Sequence, residues 1–236
     1  MPGPRRRSVL VSRLADRPVG SPHSVILDEL RTAILDGDVP PGSPIPVDGV
    51  AAAFGVSRIP VREALMTLIG EGLVDHRPNA GYRVAMMTFR EFSEFYLVRE
   101  ALETAALKAS VALAGPDDDE RARAAHHALD AAVEAGDARA HHRESRRFHL
   151  ALISPCRMRR LLHMLDAAWN MTEPLQPMSH LDSADRQRLH EDHADMLTAF
   201  VDRDRTRLID VFAEHHHRLQ SFIETLPHDT GLFADP

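Results

Sequence analysis

Residues 54–65 read FGVSRIPVREAL, and this stretch decides the fold. Gly55 closes one helix, Ser57 can cap the next, and a turn of about three residues separates them. The second of these helices is predicted to run to about Gly70, with Ala64, Leu65, Leu68 and Ile69 on its apolar face. Arg58 stands in its first turn, and Arg62 follows four residues later on the same face. An arginine near the N-terminus of a helix lying in the major groove can make a bidentate contact to guanine. The helix N-terminus and the Ser57 hydroxyl can together hold a phosphate. On spacing alone, the alternative is that the same two arginines are solvated surface charges.

Upstream, a helix is predicted over 24–35, capped by Ser24, with Ile26, Leu27, Leu30, Ala33 and Ile34 on one face and Gly37 as its stop. Pro40-Pro41-Gly42 is a rigid turn, and a short helix follows over 47–54, its first turn weakened by Gly49. Downstream, Glu71 to Val74 leads into a short strand, 76–81 is a loop, and 82–84 is a return strand. Two helices, a short turn, a third helix and a hairpin make a winged helix-turn-helix, here placed at 21–88. The loop at Asn79, Ala80 and Gly81 can then reach a neighbouring groove or phosphate. Residues 1–20 hold Arg, Pro, Gly and Ser without a sustained period and are expected to form a flexible basic arm.

The charge divides unevenly. Residues 1–88 hold 10 Arg against 9 Asp+Glu, a net of +1, while the rest holds 18 Lys+Arg against 26 Asp+Glu, a net of −8. Two domains with different partners are expected, and DNA binding must rest on a few placed residues rather than on bulk charge. Of the 28 basic residues 27 are arginine, a bias that suits phosphate recognition but that a GC-rich genome accounts for in the bulk of them. One cysteine, Cys156, excludes an intrachain disulfide and a Cys-rich zinc site, and it is expected to pack in the core. The run after Arg5–Arg7 is broken by Arg13 and is too short for a signal peptide. No segment approaches the ~20 apolar residues of a membrane span. A soluble cytoplasmic protein is expected.

From Phe89 onward the pattern is helical. Helices are predicted over 89–114, 117–135, 138–153, 156–172, 184–202 and 205–225, an antiparallel bundle occupying 89–228, with a tail at 229–236. Of 15 histidines, 13 lie beyond residue 120. Period places three on apolar faces: His149 with Leu152, Ile153 and Cys156; His193 with Leu189, Met196, Leu197 and Phe200; and His215 in the row Leu208, Phe212, Leu219, Phe222. Three converging imidazoles suit a divalent transition metal, and each alone also suits a hydrogen-bonded core position. His216 and His217 are expected to turn away from that row, and His141 and His142 to lie in a polar run. Arg99 lies on the face Phe92, Phe95, Tyr96, Leu102, Ala106 and needs an anion, either Glu103 one turn on or a ligand carboxylate. Trp169 and Met171 are expected to pack in the core.

The stretch 30–84 resembles the GntR-type winged helix domain through Pro41-Gly42, Phe54-Gly55-Val56-Ser57-Arg58, Pro60-Val61-Arg62-Glu63-Ala64-Leu65, Glu71-Gly72-Leu73-Val74 and Asn79-Ala80-Gly81-Tyr82-Arg83-Val84. The resemblance implies a homodimer on an inverted repeat of double-stranded operator DNA, with Arg58 and Arg62 as the main contacts and the wing near Gly81 assisting. Ala80 stands where many members are basic. Residues 90–222 resemble the FCD-type ligand-binding domain of the FadR-like subgroup through Val98-Arg99, Leu102-Glu103, Gly136-Asp137, Phe148-His149, the proline after Ser154, His193, Asp204 and His215. This implies a metal set of one Asp and three His, the histidines being His149, His193 and His215, and zinc or nickel as the ion. The Asp position is Ser145 here, so the metal would be held by three histidines with water or the effector's carboxylate. Arg99 would bind that carboxylate.

A ligand-responsive transcription regulator is therefore expected, with repression as the weighted sign and a small organic acid as effector. Two other classes compete. One is a regulator for which the metal itself is the effector. The other is a metal-dependent enzyme, for which no HExxH motif, nucleophile elbow or Gly-rich phosphate loop is found.

Overall fold

A computed structural model describes residues 9–14, 23–225 and 233–234. The expected basic arm lies outside these residues except at 9–14, and the expected tail except at 233–234. The chain forms two compact units, one taking in the chain up to Phe89, Asn170–Leu175 and the chain from His228, the other formed by Arg90–Trp169 and Gln176–Pro227.

In the first unit, α1 (Val9–Arg13) lies where no element is expected. Leu10 and Leu14 are both fully buried, and this anchoring makes a helix of a segment too short to show a period. Helix α2 (His23–Leu35) starts one residue before the expected cap, so Ser24 falls within its first turn rather than capping it. Helix α3 (Val47–Phe54) ends as read, at Gly55, whose φ of 64° needs no Cβ and whose N–H returns to the Ala51 and Ala52 carbonyls. Ser57 takes the N-cap position of α4 (Arg58–Gly70), but its side chain makes no bond to the helix. The core gathers Ile26, Leu30, Ile34, Phe54, Val61, Leu65 and Leu68.

The wing is a three-stranded antiparallel sheet in the order β1-β3-β2. Strands β2 (Val74–Arg77) and β3 (Gly81–Val84) pair with Val74 opposite Val84 and Arg77 opposite Gly81. Strand β1 (Pro44–Ile45) was not legible in the sequence, being two residues long and flanked by Pro46. Proline donates no ladder hydrogen bond, and β1 accordingly sits at the sheet edge, with Ile45 opposite Tyr82.

The second unit is built on α5 (Phe89–Leu113), α6 (Pro116–Glu134), α7 (Ala138–Ile153), α8 (Arg159–Thr172), α9 (Ser183–Val201) and α10 (Arg205–Glu224). Only α8 departs from its expected start by more than a residue or two, because Pro155 folds Ser154–Cys156 into a 3-10 turn first. Cys156 is buried there as a free thiol. Aspartates hold several helix starts. The Asp118 carboxylate accepts from the Gly115 N–H at 2.9 Å, Asp137 accepts from Arg139 and Ala140, Asp182 from Asp185, and Asp204 from Arg207. Carboxylates favour helix N-termini, so part of the acidity of this half is structural. Helix α6 packs on α7 and α9, and α9 on α10. Phe148, Leu152, Leu165, Trp169, Met196, Phe200, Leu208 and Phe212 fill the space between.

Candidate functional site

In the first unit α4 buries Val61, Ala64, Leu65 and Leu68, which leaves Ser57, Arg58 and Arg62 exposed. The Arg58 guanidinium is not idle. It spans both carboxylate oxygens of Asp48 on α3, with Nη2 to Oδ2 at 2.9 Å. Both side chains are exposed, and a pair of that kind contributes about 0–1 kcal/mol, so Arg58 can exchange it for an anionic partner. Two apolar side chains share the outer face, Ile59 at 67% and Met66 at 60% exposure. Sequence reasoning passed over them, although both stand off the 61, 64, 65, 68 stripe. Exposed aliphatic groups on such a helix suit the methyl of thymine. In the wing, Asn79 (φ 63°) and Gly81 (φ 79°) form the turn, and the Ala80 N–H donates to the Arg77 carbonyl at 3.1 Å. Arg77, exposed at the wing's tip, is a second omission, a basic side chain beside the turn that holds Ala80.

In the second unit the structure brings together the three predicted histidines. His149 from α7, His193 from α9 and His215 from α10 are 4%, 1% and 3% exposed, and one ring nitrogen of each lies within 4.8 Å of the others. His149 Nδ1 is 2.8 Å from Glu103 Oε2. A carboxylate only accepts, so Nδ1 carries the proton and the lone pair sits on Nε2. That Nε2 faces His193 Nε2 at 3.2 Å. Asp192 Oδ2, which accepts from Arg218 Nε at 3.1 Å, stands 3.4 Å from His215 Nδ1. An ion bound by imidazoles at about 2.0–2.1 Å in tetrahedral geometry separates its nitrogens by about 3.3 Å, so the His149–His193 spacing fits a zinc-like ion. The Glu103 carboxylate behind the His149 ring is the usual arrangement for a ligating histidine.

Ser145 is at the centre, as its position implies, with Oγ 3.3 Å from His193 Nε2. It offers a hydroxyl where the FCD pattern has a carboxylate. Glu144 does not substitute, because its carboxylate is engaged by Arg143 and Arg147. Burial pushes the His193 imidazole well below its ordinary pKa, reinforced by the neighbouring His215 and His149. His215 is also lowered by burial, with Asp192 opposing.

Glu103, fully buried, is the charge at the centre of this cluster. Burial alone would raise its pKa, but His149, then His216 and Arg99, outweigh that and hold it at about 2. Arg99 is 7% exposed, with Nε 3.6 Å from Glu103 Oε1. Its guanidinium lies over the Tyr96 ring at 4.6 Å and the Trp169 ring at 5.0 Å. Glu103, the partner one turn on, is thus in place. Trp169 packs in the core, and also against the edge of His149.

Three expectations are corrected. His216 does not turn away. It is 3% exposed, with Nε2 3.8 Å from Glu103 Oε1. The buried face of α10 runs Leu208, Phe212, His215, His216, Leu219, Ile223, so it is wider than one row and drifts from Phe222 to Ile223. His141 and His142 are buried as well, at 1% and 8%, because α7 is covered on two adjacent rows.

Residues 22–84 match the family described as bacterial regulatory proteins, gntR family, and residues 94–218 match the FCD domain. The chain belongs to the GntR family. A GntR reading head joined to an FCD domain is consistent with the FadR-like subgroup. Among its relatives is the HTH-type transcriptional regulator BphR of Paraburkholderia xenovorans (strain LB400), 25% identical over 207 residues, or 84% of each chain. The HTH-type transcriptional repressor RspR of Escherichia coli (strain K12) is 32% identical over 84 residues, 36% of this chain and 37% of that one. Among solved structures, E. coli McbR/YncC superposes with a TM-score of 0.77 at 23% identity, covering 86% of this chain and 97% of that one, a likeness of fold. As a GntR regulator, the protein is a DNA-binding transcription regulator. Among the described residues, no helix is long and apolar enough to cross a membrane.

Proposed function

We propose that this GntR regulator is a cytoplasmic homodimeric repressor. Its operator affinity is set by a small organic acid bound at the histidine centre of the FCD domain. The reading domain is 21–88 and the effector domain 89–228. Arg58 and Arg62 contact bases or phosphates of an inverted repeat, Ser57 and the α4 N-terminus hold a phosphate, and Asn79 and Gly81 shape the wing. Ile59 adds an apolar contact. The observation that carries the effector reading is the convergence of His149, His193 and His215 beside Arg99, with Glu103 fixing the His149 ring. His149, His193 and His215 would hold a divalent ion, zinc or nickel, which when bound supplies a Lewis-acid anchor for a carboxylate. Arg99 presents a flat cation to the same carboxylate, held in place by two rings and Glu103. Glu103 is committed to His149 and Asp192 to Arg218, so neither is free as a general base, and we read a regulator rather than an enzyme.

Serine at position 145 favours one second reading, the metal itself as effector, since a set short of one carboxylate releases its ion more readily. The test is to select an operator from random duplex DNA with the full chain. Its affinity is then measured with chelated protein, with zinc-loaded protein, and with zinc-loaded protein plus a panel of carboxylic and sugar acids. A carboxylate that weakens binding about 5–150-fold in the zinc-loaded protein supports the first reading. A switch on chelation alone supports the second. Operator affinity indifferent to both refutes each.

A further inference from the structure

A second group of ligands lies outside this centre. His126 and Asp130 stand four residues apart on α6, and His190 stands on α9, which packs against α6. His190 Nε2 is 2.6 Å from Asp130 Oδ1, and His126 Nδ1 is 3.2 Å from Asp130 Oδ2. The two rings stack, with centroids 5.1 Å apart and planes 23° apart, so both nitrogens converge on one carboxylate. One donor atom from each of the three residues lies within 4.8 Å of the other two.

We propose that His126, Asp130 and His190 form a second divalent-cation site, distinct from the three-histidine centre and taking zinc or a similar imidazole-seeking ion. Two imidazoles and a carboxylate with an open position are a zinc-type donor set. The donors also differ in mobility as such a site requires. The imidazole side chains are 12% and 10% exposed and held by packing, whereas the Asp130 side chain is 41% exposed and can swing outward to admit an ion with its water. His141, on α7, adds an independent observation. It is 1% exposed, neither ring nitrogen has a hydrogen-bond partner, and its ring meets His190 edge-on at 6.5 Å. It also lines a cavity of about 120 Å³ together with Arg186 and Gln187 of α9.

The site ties α6 to α9 and shares α9 with the main centre, the rings of His190 and His193 being 6.3 Å apart. Two dications on neighbouring turns repel each other. The outer site, whose Asp130 ligand is the exposed one, therefore fills second and empties first, which gives the protein a weaker, exchangeable response to zinc.

The test is metal counting on the full chain. Chelator-stripped protein is titrated with zinc and, separately, with cobalt(II), with elemental analysis after desalting and cobalt visible absorption as readouts. Wild type is expected to take two ions per chain. Asp130→Asn and His126→Gln are each expected to take one, and a His193→Ala/His215→Ala variant also one, lost on combination with Asp130→Asn. Circular dichroism checks that each variant is folded, and the two independent outer-site substitutions guard against a single misfolded variant. One ion in wild type that survives in both outer-site variants overturns the second site and leaves the main centre standing. One ion that survives only in the His193→Ala/His215→Ala variant does the reverse. No ion in wild type overturns both.

Discussion

Replacing Glu103 by Gln tests the centre most sharply. The carboxylate is fully buried and faces Arg99, His149 and His216 at 3.6, 2.8 and 3.8 Å. Glutamine keeps the shape and an acceptor oxygen for His149 but removes the charge. Taking one partner from a buried ion pair costs about 3–5 kcal/mol. At about 2–4 °C per kcal/mol for a protein of this size, melting of the helical unit should fall by about 6–20 °C. Because the amide oxygen still accepts from His149, zinc affinity should fall only about 10-fold, the low end for losing a carboxylate behind a ligating ring. Stability comes from denaturant melts of chelated protein followed by helix signal, and affinity from competition with a chelating dye. An Arg99→Met/Glu103→Gln double variant removes both charges and should recover part of the loss. A stability change below about 1 kcal/mol, with zinc binding unmoved, would mean that Glu103 is not the charge on which the cluster depends.

Arg62→Ala should leave the melting curve unchanged and weaken the selected operator at least tenfold in a gel-shift titration; unchanged binding sinks the assignment of α4 as the reading helix. Ser145→Asp places a carboxylate beside His193 and should raise zinc affinity about tenfold or more by dye competition; no gain would show that position 145 does not reach the ion. Acid should destabilise the metal-free protein. Burial lowers His141 from 6.5 to about 3, so the unfolded chain takes up a proton that the folded chain refuses. This loss is absent above about pH 6.5 and grows by at most about 1.4 kcal/mol per pH unit down to about pH 3. His141→Gln should flatten the slope of unfolding free energy against pH by about one proton, and an unaltered slope would place the proton uptake elsewhere.

Helix limits were legible because glycine, proline and aspartate mark them locally: Gly55, Gly136 and Asp204 each do in the structure what their residue type dictates. The three histidines were legible because their apolar neighbours carry a helical period. What escaped has one physical origin. Hydropathy registers a buried face only where its residues are apolar, and here His141, His142, His190 and His216 are buried while reading as polar. The link from Glu103 to His149 crosses 46 positions and has no local trace. Leu10 and Ile45 lie in elements too short to show a period, and their burial is set by the rest of the core. The Ser145 departure was visible at once, because only a residue's identity was needed.

The pairing of Arg58 with Asp48 bears on how the protein searches a genome. A guanidinium already balanced by a carboxylate brings little net charge to a random phosphate, since one anion simply replaces another. Each phosphate neutralised by an unpaired cation adds about 0.9 to the slope of log affinity against log salt. On the proposed reading, Arg58 contributes less than that, because Asp48 would be freed as the contact forms. Away from its target the head would then be held loosely and move on. Where a guanine accepts the guanidinium in two directed bonds, the exchange favours staying, so the intramolecular pair acts as a discount on unspecific residence rather than a loss at the operator.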